Sequence, residues 1–165
     1  MQIEQRIIER RIEELGFVLP SEGQPPPGFQ FSFEWVRVRG NRVHVAGHSP
    51  QRPDGSLAGP FGAVPSEISL DAATDAARDT ALAMLASIRR AIGDLDRISA
   101  WLTVSGMVNA DHGFTQTTTA INGFSDLILQ VFGPEIGAHA RTAIGVAALP
   151  MNNAVVVSAE VEIDR

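Results

Sequence analysis

Apolar residues recur first at helical spacing and then at every second position, and the switches between the two periods divide the chain into elements. Ile3, Ile7, Ile8, Ile12 and Leu15 stand at helical spacing among arginines and glutamates, which predicts a short amphipathic helix over residues 2–15 that ends at Gly16. The tract from Pro20 to Gly28, with Pro25, Pro26 and Pro27 in a row, cannot continue that helix and predicts an extended connector. The chain therefore divides into an N-terminal helix and connector, 1–28, and one domain, 29–165.

From Phe31 the period becomes two. Val36 and Val38 alternate with Arg37 and Arg39, and after Gly40-Asn41 Val43 and Val45 alternate with Arg42 and His44, which predicts a hairpin with a two-residue turn. Such a turn sets Arg39 opposite Arg42 and Arg37 opposite His44, so four basic side chains share one face. That face is expected either in water or against a subunit contact supplying Glu or Asp.

A long stretch rich in glycine and proline follows, to Pro65, and a loop of that length is often functional. Ser69 then stands as an N-cap with Asp71 in the first turn, and Ala77, Ala81, Met84, Leu85, Ile88 and Ile92 form an apolar stripe ending at Gly93. Ile98, Ala100, Leu102, Val104 and Gly106 alternate with polar residues and Trp101 as a third strand. A second long helix is expected from about Gly113 to Phe132, stopped by Gly133-Pro134. A fourth strand rises through Ile144, and the last alternates Val155, Val157, Ala159, Val161 and Ile163 against Ser158, Glu160, Glu162 and Asp164, with Val156 breaking the polar row. The order predicts an α+β sheet with two long helices on one face; its apolar rows, Val43/Val45 and Ile98 to Val104, lead us to expect a homo-oligomer covering the other.

Composition narrows the chemistry. The chain has 165 residues, enough for one domain's core, and no cysteine, so thiolate nucleophiles and cysteine metal sites are excluded. All 13 basic residues are arginine and there is no tyrosine, which removes Schiff-base and phenolic chemistry and leaves carboxylates, four histidines, hydroxyls and water. A net charge of −6 opposes binding to phosphate backbones, so no nucleic-acid partner is expected. No apolar run reaches the roughly 18 residues of a membrane span, and a cytoplasmic protein without cofactor or metal is the expectation.

Arg141 stands alone at the mouth of a small, apolar strand, Gly137 to Pro150. Burying a guanidinium among Ala, Thr and Gly costs several kcal/mol unless something anionic meets it. Two partners remain open: a carboxylate elsewhere in the chain, or an anionic ligand.

The hairpin end Val45-Ala46-Gly47-His48, the alanine-rich helix before Gly93-Asp94-Leu95-Asp96-Arg97-Ile98, the segment Asn122-Gly123-Phe124-Ser125-Asp126-Leu127, and His139-Ala140-Arg141-Thr142-Ala143-Ile144-Gly145-Val146 with Leu149-Pro150 together resemble the Rid family of reactive-intermediate deaminases, also called YjgF and often labelled L-PSP endoribonucleases. The resemblance spans about residues 30–163. It implies a chorismate-mutase-like βαβ fold, a homotrimer, and inter-subunit clefts in which the arginine clamps a small carboxylate substrate. Deaminase members hydrolyse enamines and imines of 2-amino acids to 2-keto acids and ammonia. Carried over by position, Arg141 is the carboxylate-binding arginine, Phe33 replaces a cleft tyrosine, Ala46 and His48 replace the serine and glutamine that flank Gly47, Ala143 replaces a cysteine, and Val156 replaces the glutamate that holds the hydrolytic water. Glu160, four residues along the same face and roughly 13 Å away, cannot substitute by a rotamer change. His139 and His48 are the candidate water-orienting groups. A hydrolase with a rearranged water site and a binding module that keeps Arg141 without the chemistry both stay open.

Overall fold

The two-residue periods pair into a single five-stranded sheet. In the computed structural model, which describes residues 6–164, the elements are α1 (Ile7–Glu14), β1 (Val36–Arg39), β2 (Arg42–His48), α2 (Leu70–Ile92), β3 (Ile98–Asn109), α3 (Thr117–Ile136), β4 (Ala140–Val146) and β5 (Val155–Ile163). Ile3 of the expected first helix lies outside the described residues. The strand order is β1-β2-β5-β3-β4, with β3 and β4 parallel and every other pair antiparallel.

Both long helices pack on one face. Ser69 caps α2 by accepting the Ala72 N–H at 3.1 Å, and Gly93, at φ 87°, ends it in a conformation that suits glycine. The alanines of α2 allow a close crossing with α3, where Gly123 lies directly against the Thr74 carbonyl. In α3 the regular helix stops at Phe132, because Gly133 takes φ 82° and ψ 170°; a further turn through Pro134 leads to Gly137. Trp101, Phe124 and Phe132 pack edge to face between β3 and α3, at 6.1 and 5.6 Å between ring centroids.

Three expectations are corrected. First, register shifts in β3, between Ile98 and Ala100 and between Trp101 and Thr103, move Trp101 to the helix side, where it is 2 % exposed, instead of the polar row where strict alternation places it. Second, Val43, Val45 and Val104 are buried under the chain's own helices, so these rows do not call for a second subunit. The opposite face is polar in one half, presenting Arg37, His44, Thr103, Ser105, Ser158 and Glu160, and apolar in the other, where Val156, Met107 and the 48 % exposed Ile144 lie side by side. Third, the acid facing the basic hairpin comes from within the chain: Glu160 on β5 accepts Arg42 at 2.6 Å and lies 3.8 Å from His44.

The first helix is built into the core. Ile8 and Ile12 are 6 % and 1 % exposed within the main apolar cluster, the Asp96 carboxylate accepts the Ile7 and Ile8 N–H groups at 2.9 Å each, and Arg11 donates to the Val131 carbonyl at 2.7 Å.

Candidate functional site

The register decides where Arg141 points. It pairs with Val104, a helix-facing position, and β4 is the outer strand, so the side chain crosses the sheet edge to α3. There Nη1 donates to Asn122 Oδ1 at 2.8 Å and to Ser125 Oγ at 3.0 Å, and Nη2 donates to the Thr118 carbonyl at 3.4 Å. Residues 118, 122 and 125 lie at i, i+4 and i+7 on one helical face, which brings these three acceptors together.

All three acceptors are uncharged, and among the described residues no carboxylate pairs with Arg141. The intramolecular salt bridge left open by the sequence is therefore absent from this set. Nη1 has spent both its hydrogens, whereas Nε and part of Nη2 remain, and these two nitrogens form the side of the guanidinium that grips a carboxylate with two bonds.

His139 completes the cluster. The Gly137 carbonyl accepts from Nδ1 at 2.7 Å, so Nδ1 carries a hydrogen and Nε2 is the nitrogen whose lone pair is available when the ring is uncharged. Nε2 lies 2.8 Å from Ser125 Oγ, whose hydroxyl therefore donates to it while its lone pairs accept Arg141. Gly137 permits this approach: a Cβ there would lie 2.7 Å from the Gly133 carbonyl oxygen. Ala143, two residues beyond Arg141 on the same face, receives a bond from Thr117 Oγ1 on its carbonyl at 3.1 Å.

The remaining expected residues gather elsewhere. His48 is 1 % exposed, with Nδ1 on the Ala46 carbonyl at 2.6 Å and Nε2 on Ser87 Oγ at 2.8 Å, and Trp35 packs on its ring at 4.9 Å. Burial lowers its pKa from 6.5 to about 4 and Arg90 pushes the same way, against the Ala46 hydrogen bond. Its two nitrogens are occupied and its ring is neutral at pH 7, so it stands here as a packed structural histidine. Phe33, 51 % exposed, lies 5.1 Å from both Phe31 and Trp35.

Gly47 and Val156 sit on the sheet face away from the helices. A Cβ on Gly47 would lie 2.9 Å from Val156 Cγ1, and Val156 pairs with Met107, between helix-facing Gly106 and Val108. Within the chain the sheet thus separates Val156 from Arg141. His48 aligns with Val157, Gly106 and Ala143 across three strand spacings, about 14 Å in all. The structure brings Arg141 and His139 together and leaves Phe33, Gly47, His48 and Val156 apart from them, with Gly47 and Val156 on the far face and His48 under the helices.

Asn122 and Ser125 were not singled out from the sequence as site residues. Their signal was present as polar groups interrupting the buried face of an otherwise apolar helix, at the spacing that meets one neighbour. Among the described residues no cluster of three metal-ligating side chains occurs, and no helix is long and apolar enough to cross a membrane.

A family model described as "YjgF/chorismate mutase-like, putative endoribonuclease" matches residues 32–163. Protein TCP17 of Trypanosoma cruzi is 36% identical over 159 residues, covering 96% of this chain and 95% of that one. The crystal structure of Atu1372 from Agrobacterium tumefaciens, a protein of unknown function, is similar with a TM-score of 0.84 and 35% identity, covering 96% and 93% of the two chains. E. coli TdcF with bound serine is similar in fold, with a TM-score of 0.58, 15% identity, and coverage of 89% and 96%.

Proposed function

The chain belongs to the YjgF/chorismate-mutase-like family, and on that basis we propose that it is a hydrolase acting on small enamine or imine carboxylates derived from 2-amino acids, releasing a 2-keto acid and ammonia. The observation that carries this reading is the Arg141 guanidinium, fixed by three uncharged acceptors with its carboxylate-gripping side unspent. The substrate carboxylate takes that side, and the adjacent imine carbon then faces away from the Ser125–His139 pair, which bonds the opposite nitrogen, Nη1, and is reached through water. Water adds to this carbon and gives one proton through the Ser125 hydroxyl to Nε2 of His139, which returns it to the nitrogen. The added hydroxyl then passes its remaining proton to the same nitrogen, the C–N bond breaks, and the keto acid and ammonia form. Imines of this kind hydrolyse readily in water, so positioning by one bidentate contact supplies much of the acceleration required.

The assembly proposed is the homotrimer that the resemblance implies, with Phe33, Gly47, Ala143 and Val156 at the subunit boundary and His48 buried behind them. Their groups there are packing surfaces, and His139, not His48, handles the proton. No cofactor, nucleic acid or membrane enters the mechanism, and the acidic chain suits small anions gripped locally better than an RNA backbone.

A second reading, a carboxylate-binding protein without catalysis, is favoured by one observation: Val156 takes the position of the family's water-holding glutamate and lies among Gly47 and Met107 on the far face. A coupled assay of keto-acid release from freshly generated 2-aminoacrylate separates the two. The hydrolase reading predicts release faster than in buffer, lost in Arg141→Ala and reduced in His139→Gln. Release at the buffer rate together with binding of 2-oxobutyrate establishes the binder.

A further inference from the structure

The wiring of Arg141 occurs a second time in the fold. At the end of β2, His48 Nδ1 takes the carbonyl two residues back, Nε2 takes a helix serine, Ser87, and Ser87 Oγ accepts an arginine, Arg90 Nη2, at 3.0 Å. His139, Ser125 and Arg141 repeat these bonds at 2.7, 2.8 and 3.0 Å. Arg90 is further tied by Nη1 to the Pro20 carbonyl at 3.3 Å, which leaves Nε and one hydrogen on each terminal nitrogen unspent.

Arg90 and Ser87 open onto a cavity of about 300 Å³ between the C-terminal part of α2 and residues 34–36. Its walls carry one cation, Arg90, and two carboxylates, Glu22 and Glu34, with Trp35 as an aromatic wall. Neither the Glu22 nor the Glu34 carboxylate makes a hydrogen bond or salt bridge among the described residues, and Glu22 stands near enough to Arg90 to act on it electrostatically. A bare anion meets two negative groups here, and a bare cation leaves the unspent hydrogens of Arg90 without an acceptor; a molecule bearing both charges answers both needs.

We propose that this cavity is a second ligand site, separate from Arg141, that takes a small zwitterionic α-amino acid: carboxylate on Arg90, ammonium between Glu22 and Glu34, and side chain against Trp35. The Ser87 hydroxyl, held by His48, fixes the guanidinium as Ser125 fixes that of Arg141. The ammonium also lies beside the Trp35 ring, a favourable cation–π placement.

The test uses the full-length Arg141→Ala variant, so that the first site is silent, labelled with ¹⁵N at the indoles. The protein has two tryptophans, and Trp101, 2 % exposed in the core, serves as the internal control. L-2-aminobutyrate should shift the Trp35 indole signal saturably and leave Trp101 in place. Propylamine and 2-oxobutyrate, each carrying one of the two charges, should bind at least tenfold more weakly. Arg90→Gln should weaken L-2-aminobutyrate at least tenfold. Glu34→Gln, on an exposed residue whose loss leaves the fold intact, should weaken it several-fold. A Trp35 signal that does not move with L-2-aminobutyrate overturns the proposal. So does a shift that survives both substitutions, or one that propylamine or 2-oxobutyrate reproduces at equal concentration.

Discussion

The Ser125 hydroxyl lies 2.8 Å from Nε2 of His139. The same oxygen accepts Arg141, so one small side chain links the proposed base to the proposed anchor. Ser125→Ala leaves a half-buried imidazole nitrogen and one guanidinium hydrogen without a partner. Unfolding stability should fall by about 1–3 kcal/mol, and 2-oxobutyrate should bind several-fold more weakly because Arg141 is freed to move. Calorimetric titration and a thermal melt of the variant check both; unchanged affinity would make Ser125 a packing residue only.

His48 predicts a pH dependence. Its folded pKa, about 4, lies below the ordinary 6.5, so the unfolded chain takes up the proton first. Stability from this group is therefore full above pH 6.5 and is lost as pH falls towards 4, by about 3 kcal/mol in total. Urea unfolding at pH 7, 5.5 and 4.5 should show a steeper loss in the wild type than in His48→Gln. Equal slopes would mean that the ring is protonated or solvated in the native state.

Gly123 marks the tightest helix contact, against the Thr74 carbonyl. Adding a methyl group forces α2 and α3 apart, an overpacking effect of about 1–3 kcal/mol or more. Gly123→Ala should lower Tm by at least about 2 °C, taking about 2–4 °C per kcal/mol for a chain of this size. A Tm within 1 °C of wild type would show that the helices separate freely.

The N-terminal helix should matter to stability. Ile12 is 1 % exposed in the main core, and Ile12→Ala should destabilise by about 2–5 kcal/mol. A thermal melt unaltered by this change would mean that the helix does not pack as part of the core.

Much of this fold was legible because its elements follow two clean periods. The hairpin register, Arg39 opposite Arg42 and Arg37 opposite His44, followed from a two-residue turn alone. The register shifts in β3 were not legible: a bulge depends on pairing with a strand more than fifty residues away, so strict alternation misplaced Trp101. The same long-range pairing hid the ion pair between Arg42 and Glu160, and with it the reason the basic hairpin needs no second subunit. At the site, the lone Arg141 stood out as a charge in an apolar strand. Its partners did not, because Asn122 and Ser125 reach it only once the parallel pairing of β3 with β4 sets β4 beside α3.

The central claim is that Arg141 grips a substrate carboxylate, and calorimetric titration with 2-oxobutyrate tests it most directly. Each charged hydrogen bond is worth about 1.5–3 kcal/mol, so Arg141→Ala should bind at least tenfold more weakly than wild type while keeping its fold. If Arg141→Ala binds the keto acid as tightly as wild type, the guanidinium serves only to tie β4 to α3, and the site assigned to it does not exist.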